Sequence, residues 1–182
     1  RDWQQAINAF EELEKADPEA ATQSRVAHYY CELAAQALRA EDATAARGFL
    51  KKADNCENTT VRATLLRADL QREAGKYRRA IAGYLEVIER ERRLIGEVVP
   101  RRAACARERD DEHALSASLQ QLREDDPAAG KAIALAAVYD IQIANDTVLE
   151  CLRDYVLEDP VLTNLVDVSR LRDIAPEAQR RA

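Results

Sequence analysis

Residues 75–88 read GKYRRAIAGYLEVI, and the spacing inside this stretch decides the fold. Gly75 is followed two residues later by the aromatic Tyr77. The small residue Ala80 comes next, and the aromatic Tyr84 stands four residues beyond it. A small side chain lets two helices approach closely, and a large one a turn later fills the space beside them. The stretch therefore predicts one helix of a closely packed pair.

The same spacing recurs at a fixed period along the chain. Ala46 lies 34 residues before Ala80, Ala114 lies 34 residues after it, and another 34 residues lead to Val148. This is the period of the tetratricopeptide repeat, a helix–turn–helix unit. We therefore expect an all-α protein, a tetratricopeptide-repeat α-solenoid whose antiparallel helix pairs stack into a right-handed superhelix. An earlier copy keeps the intervals at Trp3, Ala6 and Phe10, and small residues precede the others by twelve positions at Ala34, Ala68 and Ala136.

Short polar breaks divide this pattern into repeats and helices. We expect a single array over 1–182, and Pro100 should lie at the start of a helix or kink it, because proline disrupts a helix interior. The expected repeats are 1–18 (a second half), 24–58, 59–93, 94–127, 128–160 and 161–182 (a first part). The expected helices are 3–15, 24–40, 43–54, 59–74, 77–92, 97–108, 111–123, 129–144 and 147–158.

Composition excludes several classes of protein. Hydrophobic residues make up 47% and charged residues 33%, which excludes disorder, and the net charge of −6 argues against nucleic acid as a ligand. Four separated cysteines without a C-x-x-C pair indicate apolar filler in a reducing compartment. No apolar run is long enough to insert into a membrane. Because the chain starts at Arg1 and has no Met, we expect it to be a piece of a longer protein.

His28 and Cys31, in AHYYCELA at 27–34, lie on one side of a predicted helix and raise the question of a catalytic or metal site. Catalysis needs a third orienting group and an oxyanion site, and neither is visible nearby. Zinc needs four ligands, but the other histidine, His113, is several repeats away. We therefore expect no enzyme activity. In the repeat frame, the predicted concave protein-binding face comprises His28, Cys31, Arg39, Arg62, Leu65, Asp69, Arg72 and Arg107.

Three segments carry a family resemblance: RVAHYYCELAAQAL at 25–38, LKKADNCENTTVRA at 50–63 and REAGKYRRAIAGYLEVIERERRLIGEV at 72–98. They resemble the lipopolysaccharide assembly protein B family in its middle repeats, and AHYYCELA is not part of the general repeat consensus. Members of that family have an N-terminal membrane helix and a C-terminal rubredoxin-like knuckle with two C-x-x-C pairs. The resemblance therefore implies zinc or iron only in such a knuckle and no cofactor in this chain.

The resemblance also implies a role and partners. Members act as adaptors that regulate lipopolysaccharide biosynthesis at the cytoplasmic face of the Gram-negative inner membrane, where the N-terminal helix tethers them. They present the lipid A pathway deacetylase to a membrane-anchored AAA+ protease, and an inner-membrane regulator relieves this. The alternative is a generic peptide-binding tetratricopeptide co-chaperone or assembly scaffold. Self-association stays open.

Overall fold

The structure, a computed structural model, describes residues 3–16, 23–56, 60–139 and 146–158. In these ranges the regular structure is helical and contains no strand, so the predicted all-α class is confirmed. Two compact units, 1–86 and 87–182, divide the chain within its fifth helix. The helices are α1 (Trp3–Ala16), α2 (Gln23–Arg39), α3 (Ala43–Cys56), α4 (Val61–Glu73), α5 (Tyr77–Arg90), α6 (Ile95–Glu108), α7 (Glu112–Asp125), α8 (Pro127–Tyr139) and α9 (Asp146–Glu158), with a 3-10 turn at Arg92–Leu94.

Most helix boundaries match the sequence prediction to within two residues, and the clearest difference is at α6. This helix begins at Ile95 directly after the 3-10 turn, so Pro100 lies inside it rather than in its first turn. The expected helix end at residue 144, Pro18, Pro160 and the segment 161–182 lie outside the described residues. The right-handed superhelix of the whole array stays a prediction.

Three turns of the same geometry join the helices of three successive pairs. Glu41, Gly75 and Asp110 have positive φ angles of 58°, 69° and 53°. After each of them, the next backbone amide donates to the carbonyl five residues before it, at 2.8 or 2.9 Å. Such a left-handed residue ends a helix by satisfying its last carbonyl groups. The turn residues lie 34 and then 35 residues apart, so the repeat is regular except for one extra residue.

The extra residue corrects the predicted register of the third pair. Ala114, which the 34-residue period places in the packing seam, is exposed, whereas Leu115 is 6% exposed. Leu119, four residues later, is fully buried. The 3-10 turn before α6 accommodates the added residue, and the single-residue connection at Asp126 removes it again. Val148 then returns to the interior at the predicted position.

The first unit is built on small residues where paired helices meet. Ala80 and Tyr84 on α5 are both 0% exposed, and a Cβ atom built on Gly83 would lie 3.0 Å from the Cβ of Ala68 on α4. Such close approach lets the backbones of α4 and α5 come together without a void. The core between α2, α3 and α4 contains Cys31, Ala34, Ala35, Ala46, Leu50, Ala53, Ala63, Leu66 and Leu70.

The second unit repeats this arrangement. Helix α6 packs with α7, α8 packs on both of them, and α9 packs on α7 and α8. A Cβ atom built on Gly96 of α6 would lie 3.7 Å from the carbonyl oxygen of Ala132 on α8, so these two helices also approach closely. Val98, Ile133 and Val148 are 0% exposed and fill this interior. Each unit thus packs the first helix of one pair on both helices of the preceding pair.

The packing at Ala80 predicts the effect of enlarging it. Because its side chain is fully buried, Ala80→Leu should overpack the interior and lower the free energy of unfolding by about 1–3 kcal/mol. The adjacent, exposed Arg79 is the control, and Arg79→Ala should change it by less than about 0.5 kcal/mol. Urea unfolding of both variants measures the difference. Equal losses would contradict the assigned packing position.

The chain also offers two matched glycines. Gly48 in α3 has open space where a Cβ would stand, whereas a Cβ at Gly83 would meet Ala68. Gly48→Ala should stabilise the protein by about 0.5–1 kcal/mol through helix propensity. Gly83→Ala has the same propensity advantage but must push α4 and α5 apart, so we expect it to be less stable than Gly48→Ala by about 1 kcal/mol or more. Equal stability of the two variants, measured by urea unfolding, would show that the helices do not meet at Gly83.

Candidate protein-binding surface

The first helices of two successive pairs, α2 and α4, lie side by side in the first unit. Arg62 Nη2 on α4 lies 3.4 Å from Glu32 Oε1 on α2. Cys31 Sγ on α2 lies 3.8 Å from Thr60 Oγ1, and the same hydroxyl oxygen accepts the Ala63 amide to cap α4. These contacts join α2 and α4 into one layer, on which the predicted binding residues of this unit stand.

The eight predicted residues differ in accessibility. Three of them lie in the interior and five reach the surface, four of these five in the first unit and Arg107 in the second. The surface residues are therefore all basic side chains, if His28 is counted with the arginines. Cys31, Leu65 and Asp69 are 0%, 1% and 8% exposed, His28 and Arg39 are exposed, and Arg62, Arg72 and Arg107 are partly exposed.

Cys31 and Leu65 are core residues, which corrects their predicted place on an open face. Cys31 belongs to the cluster between α2, α3 and α4, because one more pair of helices covers the side of α2 that an isolated repeat would leave open. Burial raises the pKa of the Cys31 thiol, against the hydrogen bond from Thr60. The thiol therefore stays protonated at neutral pH, unlike a nucleophile or a metal ligand.

His28 stands beside two aromatic rings. The Trp3 ring meets the His28 ring edge to face at 6.0 Å between centroids and stacks on the Tyr29 ring at 5.8 Å. These contacts attach α1 to the start of α2. Within the described ranges, no group of three or more His, Cys, Asp or Glu side chains is placed to hold a metal ion. His28 is thus an exposed side chain on an aromatic support, available to a partner.

A buried polar contact behind the surface escaped the sequence prediction. Tyr84 Oη on α5 donates a 2.7 Å hydrogen bond to Asp69 Oδ1 on α4. Burial alone would lower the pKa of Arg72, but the Tyr84 hydroxyl, Asp69 and Glu73 raise it above its ordinary value. Arg72 is therefore held at the surface by the buried pair beneath it. The available signal was a carboxylate inside the apolar run of α4 with a tyrosine fifteen residues later.

The exposed arginines differ in their electrostatic surroundings. Arg62 lies within ion-pair distance of Glu32, and Arg72 stands near Asp69 and Glu73. Arg39 at the end of α2 is exposed and forms no ion pair within the described part of the chain. Exposed ion pairs contribute little to stability, about 0–1 kcal/mol, so a partner can replace them at small cost. The surface can therefore contact a segment with both acidic and apolar side chains.

These features define a class of protein: a helical-repeat protein of tetratricopeptide type that offers a polar surface on the first helices of its pairs. No described helix is both long and apolar enough to cross a bilayer. The repeat register, the capped turns and the buried small residues together assign the class.

Comparison with known proteins confirms the resemblance drawn from the sequence. The chain is similar to lipopolysaccharide assembly protein B of Escherichia coli, with 26% identity over 139 residues. The match takes in 76% of this chain and 36% of the relative, so the chain spans about a third of that protein. The protein of the same name from Haemophilus influenzae is 34% identical over 99 residues, 54% of this chain and 24% of that one.

Other comparisons add less. No family model matches the chain. A chain of the crystal structure of the APC/C hetero-tetramer Cut9–Hcn1 aligns with 94% of this chain and 39% of its own length, with 14% sequence identity and a TM-score of 0.45.

The buried pair of Tyr84 and Asp69 predicts a specific loss of stability. Tyr84→Phe leaves the carboxylate oxygen without its donor, so the free energy of unfolding should fall by about 1–3 kcal/mol. Tyr77, half-buried and with no hydrogen-bond partner for its hydroxyl in the described part of the chain, is the control. Tyr77→Phe should change stability by less than about 0.5 kcal/mol. Equal effects in urea unfolding would contradict the pair.

The same pair predicts a dependence on alkaline pH. Burial, the hydrogen bond to Asp69 and the charge of Asp69 raise the pKa of Tyr84 well above its ordinary value. A raised folded-state pKa gives stability that is complete below the unfolded pKa of about 10 and falls as pH rises above it. Wild-type stability should therefore decline more steeply above about pH 10 than that of Tyr84→Phe. Parallel curves for the two proteins would contradict this origin.

Proposed function

We propose that this chain is a protein-binding scaffold that acts in lipopolysaccharide assembly. The observation that carries the proposal is the joined layer of α2 and α4, which displays basic side chains on a rigid support, together with the similarity to lipopolysaccharide assembly protein B. Stacked helix pairs offer extended surfaces of this kind for protein partners. A rigid surface lowers the entropic cost of binding, because little has to be ordered on association.

The finer role follows from the family resemblance. We propose that the protein containing this chain is an adaptor that brings the lipid A pathway deacetylase to a membrane-anchored AAA+ protease, at the cytoplasmic face of the inner membrane. An inner-membrane regulator would act on the same protein. The chain supplies the repeat surface for these contacts rather than a catalytic group, since its described cysteines are buried or half-buried and unpaired.

The arginines on the layer are the proposed contact residues. Arginine is over-represented among residues that dominate binding energy, because its planar group makes several directed hydrogen bonds. Arg39 and Arg62 stand on different helices of the layer and are both accessible. A partner segment that crosses α2 and α4 would meet both of them, with His28 at the aromatic end of α2.

The co-chaperone alternative places different residues on this layer. Domains that clamp a peptide carboxylate present Lys and Asn at the positions held here by Cys31, Ala35, Leu65 and Asp69. All four are buried, and none is a cationic donor. A carboxylate clamp on these helices is therefore disfavoured, and the adaptor proposal is preferred.

The test is a charge reversal on the layer in the full-length protein. Arg39→Glu combined with Arg62→Glu should weaken binding of the deacetylase or the protease about tenfold or more, since losing a central arginine costs about 1.4 kcal/mol or more. Arg72 is left unchanged, because a glutamate there would face buried Asp69 and mix folding with binding. The measurements are binding of each purified partner and deacetylase abundance in cells.

The matched control reverses two cations on α3. Arg47 and Lys51 are exposed on the second helix of the same pair, so Arg47→Glu with Lys51→Glu changes the charge by the same amount away from the layer. We expect this control to bind as the wild type does. If both double variants melt like the wild type and bind equally well, the layer is not the binding surface.

A further inference from the structure

An arginine in the second unit is buried inside an apolar interior. Arg102 on α6 is 4% exposed, and its neighbours in the same buried stripe are Val98, Val99, Ala103 and Ala106. Its Nη2 atom donates to Ser118 Oγ on α7 at 2.7 Å. Its Nε and Nη1 atoms are also buried and have no hydrogen-bond partner. The guanidinium group therefore has one neutral acceptor for five N–H donors.

Such a group is unfavourable unless its charge is compensated. Arginine stays protonated even in protein interiors, so Arg102 cannot lose its charge as a buried lysine can. A water molecule could accept hydrogen bonds from Nε and Nη1, but it would leave the positive charge uncompensated. Burial lowers the pKa of Arg102, which expresses the same penalty. The chemistry of the site calls for a single negative charge.

The helices packed around Arg102 do not provide that charge within the described residues. Helix α8 contains no carboxylate. Glu97 of α6 pairs with Arg101, and on α9 Glu150 and Asp154 pair with Arg123. The acidic residues of α7 are exposed: Glu112, Glu124, which accepts from Gln120, and Asp125, which accepts from Gln121.

The repeat itself shows what the position normally holds. Its equivalent in the first pair is Leu33, and in the second pair it is Arg67, which forms an ion pair with Asp54 on α3. The residue equivalent to Asp54 in the next pair is Ile88, which is buried and apolar. The third pair thus keeps the arginine of the second pair but has lost its counter-ion.

We propose that Arg102, with Ser118, forms a binding site for a small carboxylate anion in the second unit. One carboxylate carries one charge, which matches a single guanidinium, and its two oxygens can accept from Nε and Nη1 together. A phosphate dianion would leave excess negative charge in an apolar interior. Ser118 is half-buried, so the site lies at the edge of the core, where a small ion needs little rearrangement to enter.

Binding of this anion would couple the stability of α6 and α7 to its concentration. A ligand that binds only the folded state stabilises it in proportion to the logarithm of its concentration above the dissociation constant. Arg102 would then act as a ligand-dependent lock on the third helix pair. This inference is independent of the proposed adaptor role, because it concerns the interior of the second unit and not the layer of α2 and α4.

The experiment follows thermal unfolding and hydrogen exchange of the intact chain in sodium acetate, with sodium fluoride replaced at constant ionic strength. We expect acetate to raise the midpoint of the wild type and to increase amide protection in α6 and α7. Without acetate, Arg102→Met should unfold about 3–8 °C higher than the wild type, because it removes an uncompensated buried charge. Acetate should leave Arg102→Met unchanged.

Four controls decide between explanations. Arg101→Met, at the neighbouring surface ion pair, should keep the acetate response, and Arg102→Gln replaces Arg102→Met if the latter does not fold. Equal acetate responses of the wild type and the uncharged variant would overturn the proposal. A response to inorganic phosphate but not to acetate would overturn the carboxylate assignment. If exposed Glu89→Gln abolishes the acetate response, Glu89 rather than a free anion neutralises Arg102, and the proposal fails.

Discussion

Close approach of paired helices is the constraint on which the rest of the structure depends. At the α4–α5 contact, the space beside Ala68 would admit a Cβ of Gly83 only at 3.0 Å. Larger side chains at this level would separate the helices and leave voids that the neighbouring pair could not fill. The fully buried Tyr84, one residue on from Gly83, fills the space that the small residues leave. Repeating this arrangement turns a local pairing rule into a stack.

The same tight packing makes each buried polar group consequential. Tyr84 and Asp69 satisfy each other directly, so the network behind the surface specifies one arrangement of α4 and α5. Arg102 is the opposite case, because one hydroxyl serves a charged group with several donors. Where a repeat protein tolerates such a cost, the residue has a use that packing alone does not explain. The two sites illustrate how satisfied and unsatisfied polar groups lead to different inferences.

The layer of α2 and α4 connects this architecture to the proposed role. A pair of first helices held by the Arg62–Glu32 contact and the Thr60 cap presents its side chains in a fixed pattern. Basic groups on such a surface can select acidic or mixed segments, while buried cysteines contribute only to packing. Recognition by several moderate contacts on a rigid support suits an adaptor, which has to bind and release its partners.

The sequence by itself determined the helices, the period and the small residues at the seams, because side-chain volume and helical spacing are local properties. It placed Ala80 and Tyr84 in the interior and Gly75 in a left-handed turn, as the structure has them. Only the tertiary structure decided the register of the third pair, because one residue added at the 3-10 turn moves Leu115 inward in place of Ala114. It also decided that Cys31, Leu65 and Asp69 are interior. A repeat read in isolation leaves those faces open, and the stacking of the next helix pair covers them.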